Sequence, residues 1–337
     1  MTLSSLSVVI PTKNRHRDLC TAIGSVARQS RVPDQLIVID QSIEAPAGME
    51  VRRLHQVIGD SVDLHWIHDP SIRGLVHAKA VGAALASGAI VCFLEDDIVL
   101  EREYFASICN GFLGNPALVG ASGVVTDVPF GKAYALFHSL FHRGIFEDPR
   151  PWIYVTLQGR GPSAISSHAL SGGLSAWRKE VFAEVPFDIA NGFHMLEDLD
   201  FSTRVRARFG DRLAILPGAR LEHHFAPAGR AAMGTRERRK VIEFITFYRT
   251  RPTRAVDAAW LAWLLVGVGA AAVTTSVRHL SVKPLVGFTS GLLAGPRKAI
   301  LSLPDVSAHE ARQDPEPLSH RAVRLRQGDA ARNEQLE

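Results

Sequence analysis

Three cysteines in 337 residues (Cys20, Cys92 and Cys109), with no CxxC spacing, leave nothing to build a disulfide framework or a thiolate zinc site, and they fit a reducing cytosol. The charge excess is also small. Thirty-eight Lys and Arg against 34 Asp and Glu give +4, too little and too scattered to demand a nucleic-acid partner, and none is expected. The first fifteen residues hold only Val8-Val9-Ile10 as an apolar run with no basic segment ahead of it, so no secretory signal is expected. No GxGxxG follows that run, which argues against a dinucleotide-dependent dehydrogenase. With 18 Pro and 27 Gly, low-complexity linkers do not dominate, and the 46% apolar content is ample for the core of one large or two unequal domains.

The apolar pattern begins as an α/β unit. Leu6 to Ile10 is a β-branched run closed by Pro11, Asp18 to Gln29 has helical spacing through Leu19, Ile23 and Val26, and Gln35 to Ile39 is a second strand that stops at Asp40. Leu64 to Ile67 gives a third strand. An Ala-rich helical stretch, Gly74 to Ser87, leads into the buried run Ala89 to Leu94 and its three acids Glu95-Asp96-Asp97. Such alternation predicts a parallel sheet. Ligands in open α/β sheets sit beyond the carboxyl ends of strands, so Pro11 to Arg15, Asp40 and Glu95 to Asp97 are expected to face one crevice.

The second half is less regular. Val119 to Val125, Ala169 to Trp177 and Arg212 to Leu216 read as strands, and Glu197 to Phe209 as a helix with Phe201, Val205 and Phe209 on its apolar face. From Arg236 the composition shifts. Ala258 to Val277 is twenty residues without a formal charge, about the length of a membrane span, but diluted by glycine, alanine and hydroxyl residues. Arg249, Arg251 and Arg254 precede it and Arg278 and Lys283 follow, a flanking pattern that suits a segment lying at an anionic surface at least as well as one that crosses. The segment from Asp305 is charged, poor in large apolar residues, and expected to be disordered.

Carboxylates crowded at a strand end repel one another. A divalent cation such as Mg²⁺ or Mn²⁺ is the simplest remedy, and a solvated acidic turn is the alternative. The run Ile90 to Leu94 favours the first reading by fixing the acids at a sheet edge.

VVIPTKNR near the start, VID at the second strand end, RGLVHAKAVGAALASGAIVCFLEDD, LSGGLSAWRKEVF and LEDLDFSTRV, in this order, resemble glycosyltransferase family 2 over roughly Leu6 to Phe225. The resemblance implies a GT-A fold: a Rossmann-like, mostly parallel sheet flanked by helices. It implies that Pro11, Thr12 and Arg15 line a nucleotide pocket, that Asp40 accepts a hydrogen bond from the base, and that Arg73 faces base or ribose. Lys79 matches a basic position usually followed by Asn, where Ala80 stands here. Glu95, in place of the more frequent Asp, and Asp96 would serve the nucleoside side, while Asp97 would bind the metal.

The acids Glu197-Asp198-Leu199-Asp200 at a helix start are explained cheaply by capping and the helix dipole. By resemblance, however, Asp198 is the general base for the acceptor hydroxyl, and Glu197 helps orient acceptor or base. Adjacent residues on an extended chain project oppositely, so at most one of His223 and His224 is expected to join a shared site. The L-x-H spacing makes His223 the third metal ligand in this resemblance. Ser171-Gly172-Gly173 fits close backbone approach, whether to a ligand or in a bulge.

The reading is therefore an inverting, Mg²⁺- or Mn²⁺-dependent glycosyltransferase that uses a nucleoside diphosphate sugar and a glycan or lipid-linked acceptor. It would act at the cytoplasmic face of the cell membrane in bacterial surface polysaccharide or glycolipid synthesis. Residues 1–235 would be the catalytic domain, 236–304 a helical membrane-associating region, and 305–337 the tail. No QxxRW occurs, which argues against a processive synthase. A sugar nucleotidyltransferase would want a Gly-rich, Arg-containing loop after the first strand in place of Pro-Thr-Lys-Asn-Arg. A catalytically silent membrane-bound nucleotide-sugar-binding module is the rival from outside enzymology, and intact acids at Asp97 and Asp198 weigh against it.

Overall fold

The computed structural model describes residues 5–46, 48–157, 164–190, 193–224, 232–251, 253–294 and 322–324. Strands β1 (Leu6–Thr12), β2 (Gln35–Asp40), β3 (Asp63–His68) and β4 (Ile90–Phe93) form a parallel block in the spatial order β3-β2-β1-β4. Every residue of β1 and β2 is buried, which is why they read as unbroken Val/Ile runs rather than alternating ones. The chain winds outward from β1 through β2 and β3, then returns to lay β4 on the other flank of β1. The switch point between β1 and β4 opens the crevice into which both strand ends point.

Helices α1 (His16–Ala27), α2 (Gly48–Ile58) and α3 (Leu75–Leu85) connect this block. Gly74, with φ of 79°, makes the turn into α3, a conformation that strains any side chain. A Cβ on Gly82 would fall 2.3 Å from Val9 Cγ1, so the small residues of α3 let it lie directly on β1.

The rest of the sheet is mixed. β5 (Ile98–Leu100), β6 (Gly120–Val125), β7 (Ile165–Ser166), β8 (Ser175–Arg178) and β9 (Leu213–His223) extend it in the order β4-β8-β6-β9-β5, with β7 beside β9. β8 runs antiparallel to both β4 and β6, whereas β6 and β9 are parallel. Two strand expectations change. Ala169 to Trp177 is extended only from Ser175, because Gly172–Leu174 folds as a 3₁₀ turn, and the strand read as ending at Leu216 continues to His223. That extension pairs His223 with Ile98, immediately after the acid triplet.

Helices α4 (Tyr104–Gly114), α5 (Lys132–Phe141), α6 (Arg150–Leu157) and the short α7 (Val181–Glu184) have no counterpart in the sequence reading, whereas α8 (Glu197–Phe209) lies where its periodicity put it. After them come α9 (Met233–Arg249), α10 (Ala255–Arg278) and α11 (Lys283–Ala294). The main core wraps the sheet. A second core joins Phe146, Phe193, Leu196 and Leu199 to Val241, Phe244, Phe247, Leu264 and Val268, so α9 and α10 share their interior with residues on the other side of residue 235. A short strand β10 (Ala322–Arg324) pairs antiparallel with β3; the remainder of the segment from Asp305, read as a disordered tail, lies outside the described residues.

Candidate active site

The parallel register brings Thr12 opposite Asp40 at the crevice edge, and Pro11 lies buried one step inside it opposite Ile39. Asp40 is buried, and its Oδ1 accepts the N–H of Ser42 at 3.0 Å. After β1 the chain turns through Asn14, in the left-handed region at φ 56°, so that Arg15 doubles back over the acids that follow β4. Thr12 Oγ1 donates to Asp96 Oδ2 at 2.7 Å, and Arg15 Nη1 donates to Asp96 Oδ1 at 3.0 Å and to Asp97 Oδ2 at 3.4 Å. Burial nevertheless holds the Asp96 carboxyl above its ordinary value against the pull of Thr12 and Arg15. Arg73 is exposed at the α3 entrance, its backbone N–H directed to His77 Nδ1 at 3.3 Å.

Asp96 faces the loop after β1, and Glu95 and Asp97 face His223. His223 Nε2 lies 2.8 Å from Glu95 Oε2 and 3.0 Å from Asp97 Oδ1, and the ligand atoms of the three residues all fall within 4.8 Å of one another. Burial lowers the imidazole, but hydrogen bonds to Asp97 and Glu95 outweigh it and raise His223 to about 9. Two carboxylates and one imidazole fit a hard or borderline divalent cation with coordination positions left for phosphate oxygens, so the donor set suits Mg²⁺ or Mn²⁺. The structure thus groups Glu95 with the metal-type ligands rather than with the nucleoside residues. His224 points elsewhere, 51% exposed and 3.2 Å from Glu222.

The Gly172-Gly173 turn joins this cluster to α8. A Cβ on Gly173 would lie 2.3 Å from Glu95 Oε1, and one on Gly172 would lie 1.8 Å from Glu197 Oε1 and 2.7 Å from Lys79 Nζ. Both glycines are therefore required by side chains of the protein itself. Lys79 is almost wholly buried, its Nζ 2.6 Å from Glu197 Oε1. Burial raises the Glu197 carboxyl even so.

Asp198, next along α8, is one-fifth exposed and ion-paired with Arg150, while its Oδ1 accepts the N–H of Leu199. The Arg150 guanidinium also binds both oxygens of Asp148 and donates to the carbonyl of Leu170 at 3.1 Å. Burial opposes ionisation of Asp148, but Arg150 overrides it and holds the carboxyl at about 2. Arg150 and Asp148 were missed in the sequence. Asp148-Pro149-Arg150 does carry a helix-start signature, since Asp148 Oδ1 accepts the Arg150 N–H at 3.1 Å, but nothing local says that the arginine meets a carboxylate 48 residues away. Glu243 of α9 was missed too. Wholly buried, it accepts the N–H groups of His194, Met195 and Leu196 at 2.8–3.2 Å and so fixes the approach to α8. Trp177 is packing: 2% exposed, edge-on to Phe201 at 4.8 Å.

This arrangement is an open α/β crevice at a switch point, with acids after its fourth strand and an acid pair opening a later helix. Residues 7–185 match the family model described as Glycosyl transferase family 2, and the chain belongs to that family. It is 22% identical over 226 residues, 65% of this chain and 68% of the relative, to the glucosyl-dolichyl phosphate glucuronosyltransferase of Haloferax volcanii. Its fold resembles the mannosyltransferase PcManGT from Pyrobaculum calidifontis, solved with GDP-Man and Mn²⁺, at a TM-score of 0.54 and 14% identity over 86% of this chain and 84% of that one. It also resembles GalNAc-T7, solved with UDP, GalNAc and Mn²⁺, at 0.53 and 19%, over 67% of this chain but under half (44%) of that one. These likenesses establish the GT-A fold. The family match ends before α8 and His223.

Proposed function

We propose that the protein is an inverting, divalent-metal-dependent glycosyltransferase that moves a glycosyl group from a nucleoside diphosphate sugar to the hydroxyl of a glycan or lipid-linked acceptor. It would act at the cytoplasmic face of a membrane, in cell-surface polysaccharide or glycolipid synthesis. The observation that carries this reading is the adjacency through Gly172-Gly173: Glu95 of the metal-type cluster and Glu197 of the α8 acid pair abut neighbouring glycines, so donor-diphosphate and acceptor chemistry share one crevice. The complexes of PcManGT and GalNAc-T7 with nucleotide or nucleotide sugar and Mn²⁺ support the donor class, and the Haloferax relative's name supports a lipid-linked acceptor.

In this reading Asp40 and Arg73 meet the base and ribose, and Thr12 and Arg15 steer Asp96 toward the nucleoside. Glu95, Asp97 and His223 would hold the cation, which when bound offsets the charge that collects on the departing diphosphate. Asp198 takes the proton of the acceptor hydroxyl on its carboxylate. The acceptor oxygen bonds to the anomeric carbon from the face opposite the phosphate, and the carbon–oxygen bond to phosphate breaks with its electron pair leaving on the nucleoside diphosphate. One displacement inverts the configuration. Arg150 and the Leu199 N–H orient Asp198 for this step, and Lys79 holds Glu197 in place beside it.

A thermal-shift screen of nucleoside diphosphate sugars with and without Mn²⁺ tests the reading, because a ligand bound only by the folded state raises its melting temperature by mass action. Expected is a donor whose effect needs Mn²⁺, followed by release of nucleoside diphosphate and an inverted product by NMR. Donor binding without turnover would favour the silent binding module, release of pyrophosphate would favour a nucleotidyltransferase, and a retained anomer would end the single-displacement mechanism.

A further inference from the structure

Helix α10 is 24 residues long, about 36 Å at 1.5 Å per residue, so length alone would let it cross a bilayer. Its two faces say otherwise. One face is committed to the second core, where Leu264 and Val268 are buried with Phe244 and Phe247, and Gly267 lies against the ring of Phe141. Asp257 is buried in the first turn, with its Oδ2 accepting the Arg254 N–H at 2.7 Å. Drawing α10 out to span a membrane would strip this core open. The opposite face is exposed and still apolar: Ala259, Trp263, Val266, Ala270, Val273 and Val277 recur at alternating spacings of four and three, a single stripe along the helix. Val266 is 58% and Val277 69% exposed.

The stripe is not alone. α11 packs on α10 and exposes Val286 and Leu293, the latter at 81%. α5, an element of the catalytic half, packs on the other side of α10 through Phe141 stacked on Trp263 at 4.9 Å and the Trp263 Nε1–H donated to the Leu140 carbonyl at 2.8 Å, and it exposes Leu136 and Leu140. Among the described residues the exposed faces of these three helices carry no acid, and their ends carry exposed Lys132, Arg254, Arg278 and Lys283. An apolar face with cations at its helix ends complements a bilayer surface containing anionic lipid, in which apolar side chains enter the acyl boundary and basic groups stay among the headgroups.

We infer that α5, α10 and α11 form one monotopic docking surface on which α10 lies in the plane of an anionic bilayer instead of crossing it. This deepens the membrane part of the proposed function and is independent of its chemistry, so a failed lipid experiment leaves the donor assay untouched. The full chain binds preformed phosphatidylcholine vesicles containing phosphatidylglycerol, binds phosphatidylcholine alone more weakly, and loses affinity with salt. Neutralising Arg254 or Arg278 costs about fivefold each, the effect of one cation near a charged surface. The double variant Val266→Glu/Val273→Glu, altered only at exposed positions, loses vesicle binding by tenfold or more while keeping its melting temperature and donor response.

Topology is read separately. In a Cys20→Ser background, in which Cys92 and Cys109 are buried, Arg254→Cys and Arg278→Cys are both labelled by an impermeant maleimide added outside the vesicles. Protection of either one alone means that α10 spans and overturns the inference. Absence of vesicle binding by the unaltered chain, together with a dimer that Val266→Glu/Val273→Glu dissociates, overturns it in favour of a second copy covering this face.

Discussion

Lys79 Nζ and Glu197 Oε1 form a 2.6 Å ion pair across 118 residues, with both side chains almost wholly shielded from water. The lysine thereby ties α3, which packs on the parallel block, to the first turn of α8. Removing one partner of a buried pair strands the other charge, so Lys79→Ala is expected to destabilise the protein by about 3–5 kcal/mol in denaturant titrations, largely through Glu197. If Lys79 instead contacted the donor, its loss would appear in donor affinity with stability nearly intact.

Asp198→Asn keeps the shape but removes the carboxylate proposed to take the acceptor's proton. Transfer should fall by ~10²–10⁴-fold while Mn²⁺-dependent donor binding, measured by calorimetry, stays within error. Near-normal turnover would assign the base elsewhere.

Gly173→Ala places a methyl 2.3 Å from the Glu95 carboxylate, which must swing away from Asp97 and His223. Mn²⁺ affinity is expected to drop about 10–100-fold, the usual effect of disturbing a ligand's support, with global stability changed far less. Direct removal of Asp97 should abolish the metal-linked part of donor binding altogether.

Glu243→Ala strips three backbone N–H groups of their acceptor at the entrance to α8, and leaving the buried Leu196 N–H unsatisfied costs about 1–3 kcal/mol. The variant should lose stability and transfer together, although it lies on α9 and outside the crevice. Glu243→Gln, which retains one acceptor oxygen, should recover part of both.

Asp148 supplies an acid-side test. Its carboxyl is held at about 2 in the folded protein against about 4 when unfolded, so it binds its proton less readily in the native state. Its stabilising effect is present above pH 4 and disappears as the pH falls through 2. Compared with Asp148→Asn, the parent should be more stable at pH 6 by on the order of 2 kcal/mol, an advantage that urea titrations at pH 4, 3 and 2 should show shrinking. A pH-independent difference would mean that the Arg150 pair does not control this group.

The parallel block was readable because strands buried on both faces must be continuously apolar: β1, β2 and β4 stand within a few residues of where their Val/Ile runs lie. The same burial pinned Thr12, Asp40 and Glu95 to Asp97 at strand ends. Helix α8 was readable from its 3.6-residue period. By contrast α5, α6 and the Gly172 turn are held by distant partners that no local pattern names, Trp263 for α5, Asp198 for α6, and Glu95 and Glu197 for the glycines.

What the amino-acid sequence determined by itself was the order of buried and exposed segments and the chemical kinds of group at their ends, since both follow from local hydrophobic period. Tertiary structure alone decided which acid meets which cation: Glu95 with His223, Asp96 with Arg15, Glu197 with Lys79, and Asp198 with Arg150. Those pairings depend on strand register, on the antiparallel entry of β8 and on the length of β9, all of which arise from contacts between residues scores of positions apart.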